Sequence, residues 1–304
     1  MYIIDSHCDS IERLDEPLVC KHNFSSKYPQ LQFVAMFVCH DGEDGDASFL
    51  RMQRYLEHFD ESIKNEHTKI EKVTDFNGIL SAFEQKKHAA LLTVEGGRAI
   101  NGSIENLKYV YRRGVRVFGL SWGHTDLAKS NRLKKGEADT GLTPLGRKVI
   151  KAGSDLGMIF DVSHLSDKSF WDVAAISKKP VIATHSNFRT VCPHSRNLTD
   201  DMALEIKRQG GMIGLNLYPD FVKSGGATLD DLIFHVEHAL SLGLENNLGF
   251  GFDIDGTDGL YPAPLDENSS VHDAVIKKLL TVYPQAVVEK IAYKNYLEFL
   301  KKNL

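Results

Sequence analysis

Apolar residues in this chain fall into short, nearly unbroken runs separated by longer amphipathic stretches. Eight runs read as strands: YIID (2–5), FVAMFVC (33–39), AALLTVE (89–95), VRVFGLSW (115–122), GMIFDVS (157–163), PVIATH (180–185), GMIGLNLY (211–218) and NLGFGFD (247–253). A strand covered on both faces is apolar at most positions rather than at alternate ones, as parallel strands between helices are. Between and after the runs, helix-period patterns predict helices over 49–69, 76–87, 104–113, 144–156, 167–177, 200–209, 229–242, 271–281 and 284–300. Thr143-Pro144 supplies a cap and a first-turn proline, and Gly157 a stop. Repeated strand–helix units imply a parallel sheet, and eight of them suggest an α/β fold of the (β/α)8 TIM-barrel type in one domain, 1–304. The rival is an open doubly wound sheet, but no GxGxxG follows the first strand.

Composition narrows the function classes. The chain has 304 residues, 42% hydrophobic and 25% charged, with a net charge of −5. Both signs are dispersed, so no basic face for nucleic acid is expected. No apolar run approaches the ~18 residues of a membrane span. No basic region precedes an apolar stretch at the N-terminus, and LEFLKKNL is too polar for a lipid-anchor signal. The expectation is a cytoplasmic protein with no membrane partner. Cys8, Cys20, Cys39 and Cys192 form no CxxC pair and read as reduced thiols.

Chemistry gathers where the strands end. The first run leads into His7 and Asp9, the third ends in Glu95, and the fourth leads to His124. The fifth leads to His164, the sixth ends in His185, and the eighth in Asp253. Active sites of (β/α)8 barrels lie at the C-terminal ends of the strands. Each residue alone has an ordinary reading as a cap, a solvated acid or a satisfied interior histidine. Together, unpaired acids and imidazoles at one buried mouth call for a cation. Without His124, three histidines, two aspartates and a glutamate still exceed the three protein ligands of one catalytic zinc. Two metals about 3.5–4 Å apart suit that number and suit amide hydrolysis.

The segments DSHCD, TVEGG, LSWGHTD, GLTPLGRKVI with GMIFDVSHLS, PVIATHSNFRTVCPHSRNLTDD and GFGFDIDG resemble, in order, those of the membrane dipeptidase family, also called renal dipeptidase-like or M19 metallopeptidases. The resemblance implies an amidohydrolase-type barrel with two Zn2+ per chain. It implies His7 and Asp9 on one zinc, Glu95 bridging, and His164 and His185 on the other. It also implies His124 near the scissile carbonyl, Arg196 on the substrate's terminal carboxylate, Asp253 as proton shuttle and Tyr218 lining the substrate site. The implied reaction is dipeptide hydrolysis by a metal-bridging hydroxide, C-terminal D-residues being among the candidate substrates. The implied assembly is a homodimer. The chain departs from the family pattern at Cys8, where Asn is frequent, and in the last helix, where Tyr293 stands at a Gly-like position and Asn295 is kept.

Several neighbours receive plainer readings. Asp5 is expected to share the inward phase of His7 and Asp9 and to support a ligand histidine. Asp161 is read as structural or supporting. Asp255 is a rival to Asp253, and Arg189 to Arg196. Arg98 reads as a surface ion pair. His235 and His238 read as surface or packing residues, and HDGEDGD (40–46) as a solvated loop. The rival functions are hydrolysis of N-acyl amino acids or β-lactams on the same metals, and a barrel that binds without turnover.

Overall fold

A computed structural model describes residues 1–12, 24, 26–40, 44–123, 127–266 and 269–304. Its parallel strands are β1 (Ile3–Cys8), β2 (Gln30–Phe37), β3 (Ile70–Val73), β4 (His88–Glu95), β5 (Val115–Gly119), β6 (Ile159–Asp161), β7 (Ile182–Ala183), β8 (Met212–Leu215) and β9 (Leu248–Phe250). The order β2-β1-β9-β8-β7-β6-β5-β4 is closed by a β2–β4 pairing that runs from Leu31↔Ala89 to Phe37↔Glu95. Eight strands therefore form a closed barrel, as the apolar runs predict. The open doubly wound sheet is excluded, because no strand of the ring is an edge.

The ninth strand is the difference. β3 pairs with His88–Leu91 of β4, and β5 pairs with Leu92–Val94, so the two share one edge of β4. β3 sits outside the ring. Its sequence, IEKV, is buried only at its two ends, so it lacks the continuous apolar run by which the other strands are read. The preceding helix correspondingly stops at Asn65 rather than at residue 69.

Helices cover the barrel: α1 (Gly45–Asn65), α2 (Phe76–Glu84), α3 (Ile104–Arg112), α4 (Pro144–Leu156), α5 (Asp167–Ile176), α6 (Asp200–Gln209), the short α7 (Pro219–Val222), α8 (Leu229–Ser241) and α9 (Val271–Leu280). The Thr143 side chain accepts from the Gly146 N–H, and Gly157 ends α4 at a φ of 85°, a conformation in which a Cβ would be strained. The largest apolar cluster fills the layer between helices and barrel.

The C-terminal segment closes the barrel's N-terminal end. Its pieces are α10 (Gln285–Glu289), a π-turn over Lys290–Lys294 and α11 (Asn295–Asn303). Tyr296, Phe299 and Leu300 join Ile4, Phe33, Leu91 and Met212 in the interior cluster. The Tyr296 hydroxyl donates to Ser6 Oγ at 2.6 Å, so a fully buried phenol has its partner. Asn295 Nδ2 donates to the carbonyls of Glu245 and Leu248, which ties this segment to the start of β9. With that end plugged, the opposite mouth is left for chemistry.

Candidate metal centre and its cleft

The first corner of the site depends on an irregularity in β1. Asp5 is opposite Gln32 of β2, but Cys8 is opposite Val34, so three residues advance against two. Such a bulge inserts a residue and breaks the alternation of faces. Ser6 and His7 therefore both face the interior. Ser6 Oγ contacts the carbonyls of Thr184 and Phe250, while the His7 ring stacks on His185 with centroids 3.6 Å apart. Asp5 is turned outward. Its Oδ2 lies 2.7 Å from Nε2 of His272 on α9, with both side chains fully buried. Its Oδ1 accepts from the backbone N–H of His7 at 3.0 Å and of Phe252 at 3.2 Å. The expectation of an inward Asp5 is thus corrected, while its contact with His7 is made through the backbone N–H rather than the ring. Asp5 braces the backbone beside His7 and Asp253, because the bulge moves it out of phase with them.

Glu95, at the end of β4, divides its carboxylate. Oε2 lies 3.2 Å from His7 Nε2. Oε1 lies 2.7 Å from His164 Nε2 and 3.5 Å from His185 Nε2, and those two nitrogens are 2.9 Å apart. His7 Nε2 also lies 3.5 Å from Asp9 Oδ2 and 3.7 Å from Asp253 Oδ1. His164 and Asp253 adopt left-handed backbone conformations, with φ of 65° and 63°. For L-residues such conformations cost on the order of 1 kcal/mol or more and mark functional turns.

The orientation of His185 follows from its support. The single Thr184 hydroxyl proton goes to Asp161 Oδ2 at 2.6 Å, and Asp161 Oδ1 accepts the backbone N–H groups of Ser163 and Thr184. The Thr184 oxygen, 2.7 Å from His185 Nδ1, then receives the Nδ1–H. Nε2 is left as a bare lone pair aimed at the centre, the tautomer a metal ligand needs. Asp161 thus supports the site through Thr184, whose contribution the sequence does not signal.

Electrostatics describes the same cluster. Burial pushes the His7 imidazole down, but Glu95 and Asp9 outweigh it and hold it well above its usual value. Burial raises Asp9 well above, and Asp253 above, the usual carboxylate range. Glu95 is also desolvated, yet His7 and His164 keep it well below that range. Burial, helped by Arg196, takes His164 down to about 3, and burial, helped by His7 and then Arg196, takes His185 well below its ordinary value. His7 Nε2 and Asp9 Oδ1 are buried without a hydrogen-bond partner. The sets His7–Glu95–His185 and His7–Asp9–Asp253 each bring three donor atoms within 4.8 Å of one another. Imidazole nitrogen and carboxylate oxygen at this density fit a divalent metal.

A cleft of about 590 Å³ adjoins the cluster, lined by Trp122, Arg132, His164, Arg196, Tyr218 and Asp253 among others. A second cavity of about 280 Å³ touches Asp9, Glu12, Glu95 and Asp255. Arg196 is buried. It donates to Ser186 Oγ and to the His185 carbonyl, each at 2.7 Å, and its Nε has no partner. Arg189 instead spends both terminal nitrogens on Asp167 at 2.8 and 2.9 Å. Asp253 Oδ2 accepts from Asn216 at 2.9 Å, which leaves Oδ1 toward His7. Arg98 donates to the His40 carbonyl rather than serving only as a surface charge. His235 is bonded to Phe188 and Val222 and His238 to Asp200, both as packing residues. Asp44 of the 40–46 loop caps α1. His124, which the family resemblance places near the scissile carbonyl, lies outside the described residues, as do Cys20 and 41–43.

A closed parallel barrel with imidazoles and carboxylates converging at the strand C-termini defines the class, a (β/α)8 barrel with a candidate metal centre at its mouth. Within it, a family model described as membrane dipeptidase (peptidase family M19) matches residues 2–303, and the chain belongs to that family of metallopeptidases. An uncharacterized Klebsiella pneumoniae protein from the pqqA 5′ region is 32% identical over 227 residues, 72% of this chain and 83% of that one. The uncharacterized dipeptidase C965.12 of Schizosaccharomyces pombe is 32% identical over 204 residues, 65% of this chain and 49% of its own length. The crystal structure of a Rhodobacter sphaeroides metallo peptidase, liganded with a phosphinate mimic of the dipeptide L-Ala-D-Ala, has the same fold. It gives a TM-score of 0.87 at 20% identity, over 100% of this chain and 99% of that one. Among the described residues, no helix is long and apolar enough to cross a membrane.

Proposed function

We propose that this chain is a dipeptidase that works with two zinc ions, held by His7 and Asp9 on one side, His164 and His185 on the other, and Glu95 between. The observation that carries the reading is the divided Glu95 carboxylate. One oxygen faces His7 and the other faces the His164–His185 pair, so that Glu95 would serve both groups of histidines. When bound, the metals supply a Lewis acid for the peptide carbonyl and lower the pKa of the attacking water.

The chain's own residues do the rest. Arg196, which lines the cleft beside the metal centre, holds the terminal carboxylate of the dipeptide by a charge-assisted bond. That contact favours short substrates, since a longer peptide has no carboxylate at that distance from the scissile bond. Asp253 is held by Asn216 through one oxygen, and the other takes the proton of the attacking water. The C–O bond forms first as the carbonyl π bond opens; Asp253 then gives the proton to the amine nitrogen, and the C–N bond breaks as the C=O re-forms. His124 is assigned to the carbonyl oxygen and Tyr218 to the wall of the substrate site by family resemblance. A substrate panel tests the reading with zinc present. Ala-Ala, including Ala-D-Ala, should be cleaved and Ala-Ala-Ala should not. Turnover of N-acetyl-alanine or a β-lactam far above every dipeptide would replace it with the N-acyl or β-lactam function.

A further inference from the structure

The cleft holds two guanidinium groups, and they are not equivalent. Arg196 is buried at the metal centre, fixed by Ser186 and the His185 carbonyl. Arg132 stands at the exposed mouth of the same cleft. Its guanidinium carbon lies 3.8 Å from the centre of the Trp122 ring. That ring packs edge-on against Phe37 and sits 6.1 Å from His164. The Arg132 backbone is held as well. Its N–H donates to Ser130 Oγ, Ser130 bridges to Leu165, and the Asn131 N–H donates to the His164 carbonyl at 2.9 Å. A cation is thus fixed by a stack on one face and by a loop tied to the site. Among the described residues its guanidinium has no carboxylate partner, although Asp220 and Asp258 line the same cleft.

A neutral dipeptide brings one carboxylate to this cleft, and Arg196 is the cation beside the metal centre. We propose that Arg132 recognises a second carboxylate, so that the favoured substrates are dipeptides with an aspartyl or glutamyl residue at the C-terminal position. The inference rests on the dipeptidase reading for its substrate class. Stacking pre-orders the guanidinium and leaves its edge nitrogens free for a bidentate bond. Lysine at 132 would keep the charge and lose the stack and the fork.

The test compares Ala-Glu with its neutral isostere Ala-Gln. Replacing a neutral hydrogen bond by a charge-assisted one should favour Ala-Glu by roughly tenfold in kcat/KM, chiefly through KM. In Arg132→Gln the Glu-to-Gln ratio should fall close to one, and in Arg132→Glu the preference should pass to Ala-Lys. A wild-type ratio near one, or a ratio that survives Arg132→Gln, overturns the inference. So does an equal loss on both peptides in Arg132→Gln, which would put Arg132 on the shared terminal carboxylate. Calorimetric binding of the same peptides to chelator-treated protein separates this inference from the parent reading. An Arg132-dependent Glu preference in binding, with no hydrolysis by the zinc-loaded protein, would keep the inference and sink the dipeptidase reading. Hydrolysis of both peptides without that preference would do the reverse.

Discussion

Asp5→Ala is the most demanding test of how β1 is built. The carboxylate is fully buried, 2.7 Å from His272 Nε2, and accepts the backbone N–H groups of His7 and Phe252. Deleting the carboxylate leaves the buried His272 Nε2 without its hydrogen-bond partner, at about 1–3 kcal/mol. The two N–H groups stranded beside it each cost about 1–3 kcal/mol where water cannot reach them. A loss of about 4–6 kcal/mol is expected, since these effects overlap and water can enter the space vacated. Asp5→Asn keeps an acceptor for both N–H groups and should lose less, about 1–3 kcal/mol. Urea unfolding of the zinc-free proteins at pH 7.5 measures both. Because the N–H groups belong to His7 and to the residue before Asp253, zinc affinity should also drop in Asp5→Ala, by about 10–100-fold. A stability loss below about 1 kcal/mol, with unchanged zinc affinity, would refute the bracing role.

Other outcomes follow from the same geometry. Asp253→Asn should keep most of the bound metal and lose at least about 100-fold in kcat, as expected for removal of a general acid–base group; metal analysis beside steady-state kinetics decides. Arg196→Ala should raise KM for every dipeptide, and an unchanged KM removes its carboxylate role. His235 is buried between Phe188 and Val222 and its imidazole is pushed down to about 4. The unfolded chain, with histidine near 6.5, binds a proton that the native state refuses, so stability is lost as pH falls from about 6.5 toward 4. At pH 5 the loss is about 2 kcal/mol, and urea midpoints at pH 7 and pH 5 should diverge less in His235→Gln than in the native chain.

The barrel is legible because eight of its strands are buried on both faces and write themselves as apolar runs. β3 is not, because a four-residue strand outside the ring has no second covered face to fill. The residues His7, Asp9, Glu95, His164, His185 and Asp253 are found by asking what ends each strand, since the C-terminal mouth is where a barrel places chemistry. What surrounds them is harder to read. A bulge leaves no mark in the sequence, so alternation puts Asp5 on the wrong face. Thr184 acts through a hydroxyl whose proton is directed by Asp161, and Arg132 through a stack made possible by loop pairing to Leu165. Such roles depend on contacts between elements far apart in the chain, and neither residue type nor spacing encodes them.

The two-metal reading meets its most direct test in a zinc titration of chelator-stripped protein, with Ala-Ala hydrolysis measured at each addition. Activity should be absent without metal, rise as zinc is added and level off at two equivalents per chain. Full activity without metal, or a plateau at one equivalent, would contradict it.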